Sequence, residues 1–188
     1  MAAHKSIVFL KWNVTYHRAS IAEELHQILA LQKDNLPQGL SHLEKQKEGY
    51  VTVQHSFAVL KAMNEKCPHI IAKHNNKVIG YALCMHPCFA NNIDILKPMF
   101  DKINTLVFNE PYIVMGQICI AKNYRKQGVF RGLYNTMNQE LKPVFQKIIT
   151  KVDVKNTRSL QAHYAIGFTH LIEYHSKGQD WVLINLNI

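Results

Sequence analysis

The residues best suited to chemistry lie in a basic loop in the second half of the chain. Residues 122–128 (KNYRKQG) follow an almost continuously apolar segment and precede a run with helical spacing. The first turn of a helix carries unpaired amides and a partial positive charge, so it can bind phosphate groups. Arg125, Lys126 and Arg131 add full positive charges beside that turn. The pattern indicates an anion site, although a helix start with solvated lysines would also fit it.

Other kinds of site are disfavoured by the sequence. The basic loop lacks GxxxxGKS/T and GxGxxG, so neither a nucleotide P-loop nor a dinucleotide fingerprint is expected. Cys84, His86 and Cys88 alternate along the chain, but a fourth ligand and a CxxC knuckle are missing, and we predict no metal. These two cysteines, together with Cys67 and Cys119, are expected to be free thiols.

Length and composition are typical of one globular domain. The chain has 188 residues, of which 47% are hydrophobic and 19% charged, and we predict a single domain over residues 1–188. Lys and Arg number 22 against 13 Asp and Glu, and the net charge of +9 favours nucleic acid, an anionic membrane or a phosphate-rich cofactor as partner. No run approaches the ~18–20 apolar residues of a membrane helix. No apolar run of signal-peptide length precedes the first predicted strand, so we expect a soluble cytoplasmic protein.

Apolar periodicity and turn residues predict strands and helices that would position the loop. β-Branched and aromatic runs predict strands over residues 6–12, 50–53, 69–73, 77–83, 112–121, 148–154, 168–174 and 181–187. Helical spacing predicts helices over residues 20–34, 41–49, 56–67, 92–107, 129–141 and 156–166. Ser20 and Glu23 would form a capping box, and Asn75-Asn76 a tight turn. Gly116 within an apolar strand predicts a bulge or a close backbone approach.

The basic loop and a later segment resemble two motifs of the GNAT superfamily of N-acetyltransferases. The pyrophosphate motif of that family, Gln/Arg-x-x-Gly-x-Gly/Ala, follows its fourth strand, and residues 125–130 (RKQGVF) stand in that place. Arg125 and Gly128 match, whereas Phe130 departs from the family's Gly or Ala. A second pattern, N-x-x-A/S-x-x-x-Y/H-x-x-x-G-F, matches residues 156–168 (NTRSLQAHYAIGF). Two motifs in the right order and between the right elements carry the resemblance.

The resemblance implies an α/β (α+β) fold and an acetyl-CoA site. The fold would be a single GNAT-like domain with a mixed central sheet of about six to seven strands, flanked by helices, with a splayed pair of central strands. Backbone groups of the fourth strand would bond the pantetheine arm of acetyl-CoA, and loop amides would hold its pyrophosphate. Asn156 stands where a side chain often contacts the cofactor. The implied cofactor-binding residues are Ile118, Cys119, Ile120, Arg125, Lys126, Gln127, Gly128, Val129, Phe130, Arg131, Asn156 and His163.

The implied reaction is transfer of the acetyl group to a primary amine by direct attack in a ternary complex. The oxyanion that develops needs a donor, which the amide of Ile118 or Cys119 could supply. Many family members protonate the leaving thiolate with a tyrosine four residues before the glycine of the Gly-Phe pair, and that position here is His163. A histidine can donate a proton near neutrality, so His163 is the candidate catalytic acid. Alternatively, His163 only packs beside CoA, with Tyr164 in the core.

The base, the acceptor and two other functions stay open. The strand over 112–121 carries no carboxylate; Glu44, Glu48, Glu110 and Glu173 are candidates by type only, and a water chain could act instead. A CoA-binding module without catalysis is suggested by the departures at residues 130 and 163. A basic nucleic-acid-binding protein is less favoured, because no aromatic stripe or known motif accompanies the Lys and Arg residues. The acceptor amine is not specified, no membrane partner is expected, and the protein could be a monomer or a homodimer.

Overall fold

The computed structural model describes residues 13–36, 51, 53–91 and 96–188, and seven strands within them form one mixed sheet. The strand order across the sheet is β1-β2-β3-β4-β5-β7-β6. The strands are β1 (Thr15–Arg18), β2 (Ile70–His74), β3 (Lys77–Met85), β4 (Tyr112–Ile120), β5 (Lys147–Asp153), β6 (Thr169–Ser176) and β7 (Gln179–Asn187). All neighbouring strands pair antiparallel except β4 and β5, which are parallel.

Helices cover both faces of the sheet, which confirms the predicted fold class. They are α1 (Ala22–Lys33), α2 (Phe57–Lys66), α3 (Lys97–Leu106), α4 (Val129–Leu141) and α5 (Thr157–Tyr164), with short 3₁₀ turns at Pro87–Phe89 and Lys122–Tyr124. Apolar side chains of α1, α2 and α3 pack in one core layer, and those of α4 and α5 pack in the other. None of the helices in this described part of the chain is both long and apolar enough to cross a membrane.

Most predicted elements are present, with differences at their ends. The predicted strand over 6–12 and helix over 41–49 lie outside the described residues, as do Tyr50 and Thr52 of the predicted strand over 50–53. Val51 and Val53 are described, and neither lies in a strand. Strand β1 was not predicted, because its four residues (TYHR) carry no apolar alternation and pair only at the sheet edge. The helix predicted over 92–107 is described from Lys97, with Pro98 in its first turn, where proline fits.

The start of α1 is capped one residue later than predicted. The Glu24 carboxylate accepts hydrogen bonds from the backbone amides of Ser20 (2.8 Å) and Ile21 (3.4 Å), so Glu24 and not Glu23 closes the first turn. The prediction was wrong because the N-cap is Ile21, which places the third helical residue at Glu24. Glu24 also forms a 3.0 Å ion pair with Lys73, which ties α1 to β2.

The centre of the sheet contains the two irregularities that shape the site. Strand β4 pairs with β5 over only three residues, from Tyr112↔Lys147 to Val114↔Ile149, and the two strands then diverge. Opposite β3, the register passes from Cys84↔Met115 to Ala82↔Ile118, so three steps of β4 face two steps of β3. This extra residue is a bulge at Gly116 and the residue after it, which confirms the prediction made for Gly116.

Candidate functional site

A cleft of about 390 Å³ lies beside the diverging strands and contains most of the predicted site residues. Its walls are formed by strand β4, the basic loop, the first turn of α4, and α5 along its length. Ten of the twelve predicted residues line it, namely Ile118, Cys119, Ile120, Arg125, Lys126, Gly128, Val129, Phe130, Arg131 and Asn156. Gln127 does not, because its amide turns back and donates to the Asn123 carbonyl at 2.7 Å. His163 also lies outside the cleft.

The basic loop turns its backbone to start α4 at the cleft. Lys126 (φ +61°) and Gly128 (φ +82°) adopt left-handed conformations, and Gly128 is the N-cap of α4. The amides of Val129 and the two residues after it belong to the first helical turn, so they have no acceptor within α4. Because α4 has 13 residues, its dipole adds partial positive charge at this end. The loop can therefore bind an anion through backbone groups.

Arg125 braces the loop against two other elements. Its Nε donates to the carbonyl of Ile120 at 3.0 Å, and its Nη2 donates to Oδ1 of Asn35 at 2.7 Å. Asn35 is only 3% exposed, and its own Nδ2 donates to the Leu31 carbonyl at 2.8 Å. Arg125 thus fixes the loop to the end of β4 and to the end of α1, which explains why arginine stands at the first position of the motif. Sequence reasoning missed Asn35, since nothing in its own segment marks it.

The rim of the cleft is basic. Lys126, Arg131 and Arg158 are exposed side chains that line it. Arg158 was not predicted, although it lies in the second motif. On the same helix, the Asn156 side chain accepts a hydrogen bond from the Ser159 amide at 3.1 Å and so caps α5. These cations would attract a ligand that carries several phosphate charges.

A second cavity, of about 90 Å³, lies where β4 and β5 diverge. Gly116, Gln117, Lys151, Asp153 and Trp181 are among its lining residues. It shares four lining residues with the cleft, namely Val51, Ile118, Asn156 and Ser159. The two spaces therefore adjoin at the gap that the unpaired part of the sheet leaves open.

A match to a family model identifies the proteins to which this chain is related. The model of the acetyltransferase (GNAT) family matches residues 24–168, which is most of the chain. The chain belongs to the GNAT family. No curated protein sequence matches it.

Solved structures share the GNAT fold with this chain over nearly its whole length. The ribosomal-protein-S18-alanine N-acetyltransferase from Escherichia coli is 14% identical, with 93% of this chain and 94% of that one covered at a TM-score of 0.62. The NatC complex bound to Gag peptide and CoA is 15% identical, with 93% of this chain and 98% of that one covered at a TM-score of 0.64. A protein from Salmonella typhimurium solved with its cofactor acetyl-CoA is 14% identical, with 93% of this chain and 94% of that one covered at a TM-score of 0.63. At these identities the likeness establishes the fold.

In this GNAT chain, His163 lies in an aromatic cluster; it does not line the cleft, but it is among the lining residues of the second cavity. The imidazole is 1% exposed, and its Nδ1 lies 2.7 Å from the Ser159 carbonyl oxygen. Because a carbonyl only accepts, Nδ1 carries the proton, and Nε2 accepts from the Tyr134 hydroxyl at 2.8 Å. The rings of Phe130 and Phe168 pack edge-on against it, each at 5.1 Å between centroids. Both nitrogens are therefore occupied by partners within the core.

Burial sets the charge of His163. Desolvation lowers the pKa of His163 to about 4, with the hydrogen bond to Ser159 opposing the shift. A neutral imidazole with both nitrogens occupied is poorly placed to protonate a thiolate. These contacts favour the packing alternative for His163, but Tyr164 is 41% exposed, so the core position given to Tyr164 in that alternative was wrong. The motif departure at Phe130 has a structural explanation, since its ring covers the imidazole.

Of the glutamates considered as a base, the two that the structure describes, Glu110 and Glu173, line neither space. Glu110 pairs with Lys147 at 3.1 Å, and Glu173 is exposed beside His170. Glu44 and Glu48 lie outside the described residues. Among the described residues, Asp153 is the carboxylate that lines the second cavity. Sequence reasoning missed it because it ends a strand without any motif.

A buried hydrogen-bond network holds the β4 bulge in place. Gln117 Oε1 accepts from Gln32 Nε2 (2.7 Å) and from the Tyr81 hydroxyl (2.6 Å), and its Nε2 donates to the Val53 carbonyl (2.9 Å). Gln32 Oε1 in turn accepts from the His55 amide at 2.7 Å. The network joins α1, β3 and the segment before α2 to the strand that lines both spaces. Its members are far apart in the chain, so no local pattern could have revealed them.

The cysteines are free thiols, as predicted. Cys119 lines the cleft, and burial raises its pKa to about 12, so it is a thiol and not a nucleophilic thiolate near neutrality. Within the described ranges, no group of three or more His, Cys, Asp or Glu side chains is arranged to hold a metal ion.

Proposed function

We propose that this chain is an N-acetyltransferase that moves the acetyl group of acetyl-CoA to a primary amine by direct attack in a ternary complex. The observation that carries the proposal is the meeting of the cleft and the second cavity at the gap between β4 and β5. Acetyl-CoA would lie in the cleft, and the amine would approach from the cavity. Membership of the GNAT family supports acetyl transfer in general.

The cleft offers groups of the right kind for each part of acetyl-CoA. The first turn of α4 would hold the pyrophosphate, with Lys126 and Arg131 as added charge. Among the described strands, none pairs with the β5-facing edge of β4 beyond Val114, so the backbone there is available to the pantetheine arm. That CoA or acetyl-CoA accompanies two of the structures described above supports this donor.

The backbone direction of β4 supports one of the two candidate oxyanion donors. The Ala121 amide donates to the Ile79 carbonyl at 2.8 Å, so it points toward β3. Successive amides of a strand point to opposite edges, which directs the Cys119 amide toward β3 and the Ile118 amide toward the gap. The Ile118 amide is therefore the group we propose for the developing oxyanion, and the Ile120 amide would face the pantetheine arm.

The bond changes in this proposal are simple. An acceptor that arrives as an ammonium ion first loses one proton to water. Its neutral nitrogen then attacks the thioester carbonyl, the C–N bond forms, and the C–S bond breaks as CoA leaves as a thiolate. The amine proton can reach that thiolate through water. The contacts of His163 argue against the acid role that its motif position predicted. That role stays a prediction, and it requires activity to fall as pH rises through the pKa of the residue.

An assay of thiol release tests the proposal. The protein is incubated with acetyl-CoA and, separately, with n-butylamine, spermidine, glycine and a peptide with a free N-terminus and one lysine. We expect thiol release above the rate of hydrolysis with at least one amine, together with a product heavier by one acetyl group. Acetyl-CoA binding without transfer to any amine would instead support a CoA-binding module, which the neutral His163 also favours. A cytoplasmic location, one domain over residues 1–188, and a monomer or homodimer stay predictions.

A further inference from the structure

We propose that the second cavity binds the acceptor as a primary alkylammonium, held by the Asp153 carboxylate beside the indole ring of Trp181. The inference rests on the proposed function, because it gives the adjoining cleft to the acetyl donor. It adds a charge requirement for the acceptor and a residue that imposes it.

The size of the cavity limits what it can hold. A water molecule occupies about 30 Å³ of liquid, so a cavity of about 90 Å³ has room for an amino group and a few carbon atoms. The cavity therefore takes the reacting end of an acceptor, and the rest of that molecule would extend out of it. Ile118, whose amide faces the gap, borders both spaces, so a nitrogen in the cavity would lie beside the proposed thioester position.

Asp153 supplies the negative charge in this cavity. It is 9% exposed and is the acidic residue among the lining side chains of the described structure. Oδ1 accepts from the Lys155 amide at 2.8 Å, and Oδ2 accepts from Gln179 Nε2 at 2.6 Å. Both partners are neutral donors, and no cationic side chain of the described residues forms an ion pair with it. A buried carboxylate without a cation is costly, and a bound ammonium would offset that cost.

The two hydrogen bonds also fix the direction of the carboxylate. Each oxygen uses one acceptor position on the chain, and a carboxylate oxygen has about two. The remaining positions can receive the N–H groups of an ammonium. A hydroxyl would gain less from this site, and a carboxylate would be repelled by it.

Trp181 supplies a surface that already binds a cation. It is 7% exposed and lies directly across from Asp153 in the β5–β7 ladder. The Lys151 ammonium lies 4.1 Å from the centre of its ring. Desolvation first, and Lys177 second, lower the pKa of Lys151 to about 8.

Fluorescence of Trp181 can report on the cavity without any turnover. The chain has two tryptophans, so Trp12→Phe leaves Trp181 as the reporter. The protein, saturated with CoA, is titrated at neutral pH with n-butylamine, n-butanol and sodium butyrate, which share a four-carbon chain and differ in charge. We expect a saturable change with n-butylamine and at least tenfold weaker responses with the other two. Equal responses to the amine and the alcohol would overturn the inference.

Two variants separate recognition of charge from a merely structural role of Asp153. Asp153→Asn keeps the shape and the bond from the Lys155 amide but removes the charge. Gln179→Ala removes the hydrogen bond from Gln179 but keeps the charge. We expect Asp153→Asn to weaken the n-butylamine response at least tenfold and Gln179→Ala to leave it within about threefold. Similar losses in both variants, or none in Asp153→Asn, would contradict the proposal.

A separate measurement keeps the two proposals distinguishable. Calorimetric titration of the same protein with CoA alone shows whether the cleft binds the donor. CoA binding without an amine-specific response overturns only the acceptor inference. Absence of CoA binding overturns the proposed function and, with it, the inference that depends on it.

Discussion

At the scale of single residues, His163 illustrates how position in a motif and chemical environment can disagree. The motif position marked it as an acid, because a histidine there could be charged near neutrality. Its burial among Phe130, Tyr134 and Phe168 instead lowers its pKa to about 4. The motif could locate the residue, but its burial depends on packing between α4, α5 and the start of β6.

The lowered pKa of His163 predicts a loss of stability in acid. The folded chain holds this imidazole neutral down to about pH 4, whereas the unfolded chain protonates it near 6.5. Between these values the unfolded state binds more protons, so the free energy of unfolding falls as pH falls. A shift of this size lowers the free energy of unfolding by at most about 3 kcal/mol, at acidic pH. At pH 7 and above this loss of stability is absent.

His163→Gln tests this dependence. The free energy of unfolding is measured by denaturant unfolding of the wild type and the variant at pH 7 and at pH 4.5. It should fall between these pH values in both proteins, and the fall should be smaller in the variant by about 2 kcal/mol. Part of the fall would persist, because burial also lowers the pKa of His69 to about 4. His170→Gln is the matched control, since that imidazole is half exposed on β6. An identical fall in His163→Gln and wild type would contradict the account of this residue.

At the scale of elements, the contact between α4 and the edge strand β1 fixes the helix that starts at the basic loop. Gly132 faces Tyr16, and a Cβ added at Gly132 would overlap the ring and hydroxyl of Tyr16. In an exposed helix, replacing glycine by alanine stabilises by roughly 0.5–1 kcal/mol. Here the replacement would force the Tyr16 ring out of its position or the helix away from the strand.

Gly132→Ala should therefore destabilise the protein by about 1–3 kcal/mol in denaturant unfolding, as overpacking does. The double variant Gly132→Ala, Tyr16→Leu removes the overlap and should recover at least half of that loss relative to Tyr16→Leu alone. If Gly132→Ala is neutral or stabilising, the close packing of α4 on β1 is not as described.

Elements and motif residues could be predicted to very different extents. The two motifs run along contiguous stretches of chain, so their backbone contacts with the cleft follow from local structure. Asn35 and the Gln32–Gln117 contact depend on segments far apart in the chain, 85 residues apart in the second case, and only strand register brings them together. The position of Asp153 could not be predicted either, because the cavity that it lines is formed where β4 and β5 diverge.

At the scale of the whole molecule, part of the excess of positive charge has a local explanation. The formal net charge is +9, and four of the lining residues of the cleft are cations: Arg125, Lys126, Arg131 and Arg158. The composition favoured a polyanionic partner, but it could not distinguish a nucleic acid, an anionic membrane and a phosphate-rich cofactor. The position of these cations around a helix start favours a phosphate-bearing cofactor.

The most direct test of this account is calorimetric titration of the protein with acetyl-CoA, with ATP plus acetate as the control anions. We predict saturable binding of acetyl-CoA, with ATP and acetate at least tenfold weaker. Arg158→Ala should weaken it roughly threefold or more, whereas Lys61→Ala, an exposed cation on α2, should not. Equal binding of ATP, or no binding of acetyl-CoA, would contradict the central claim that the cleft between β4, α4 and α5 is a site for the acetyl donor.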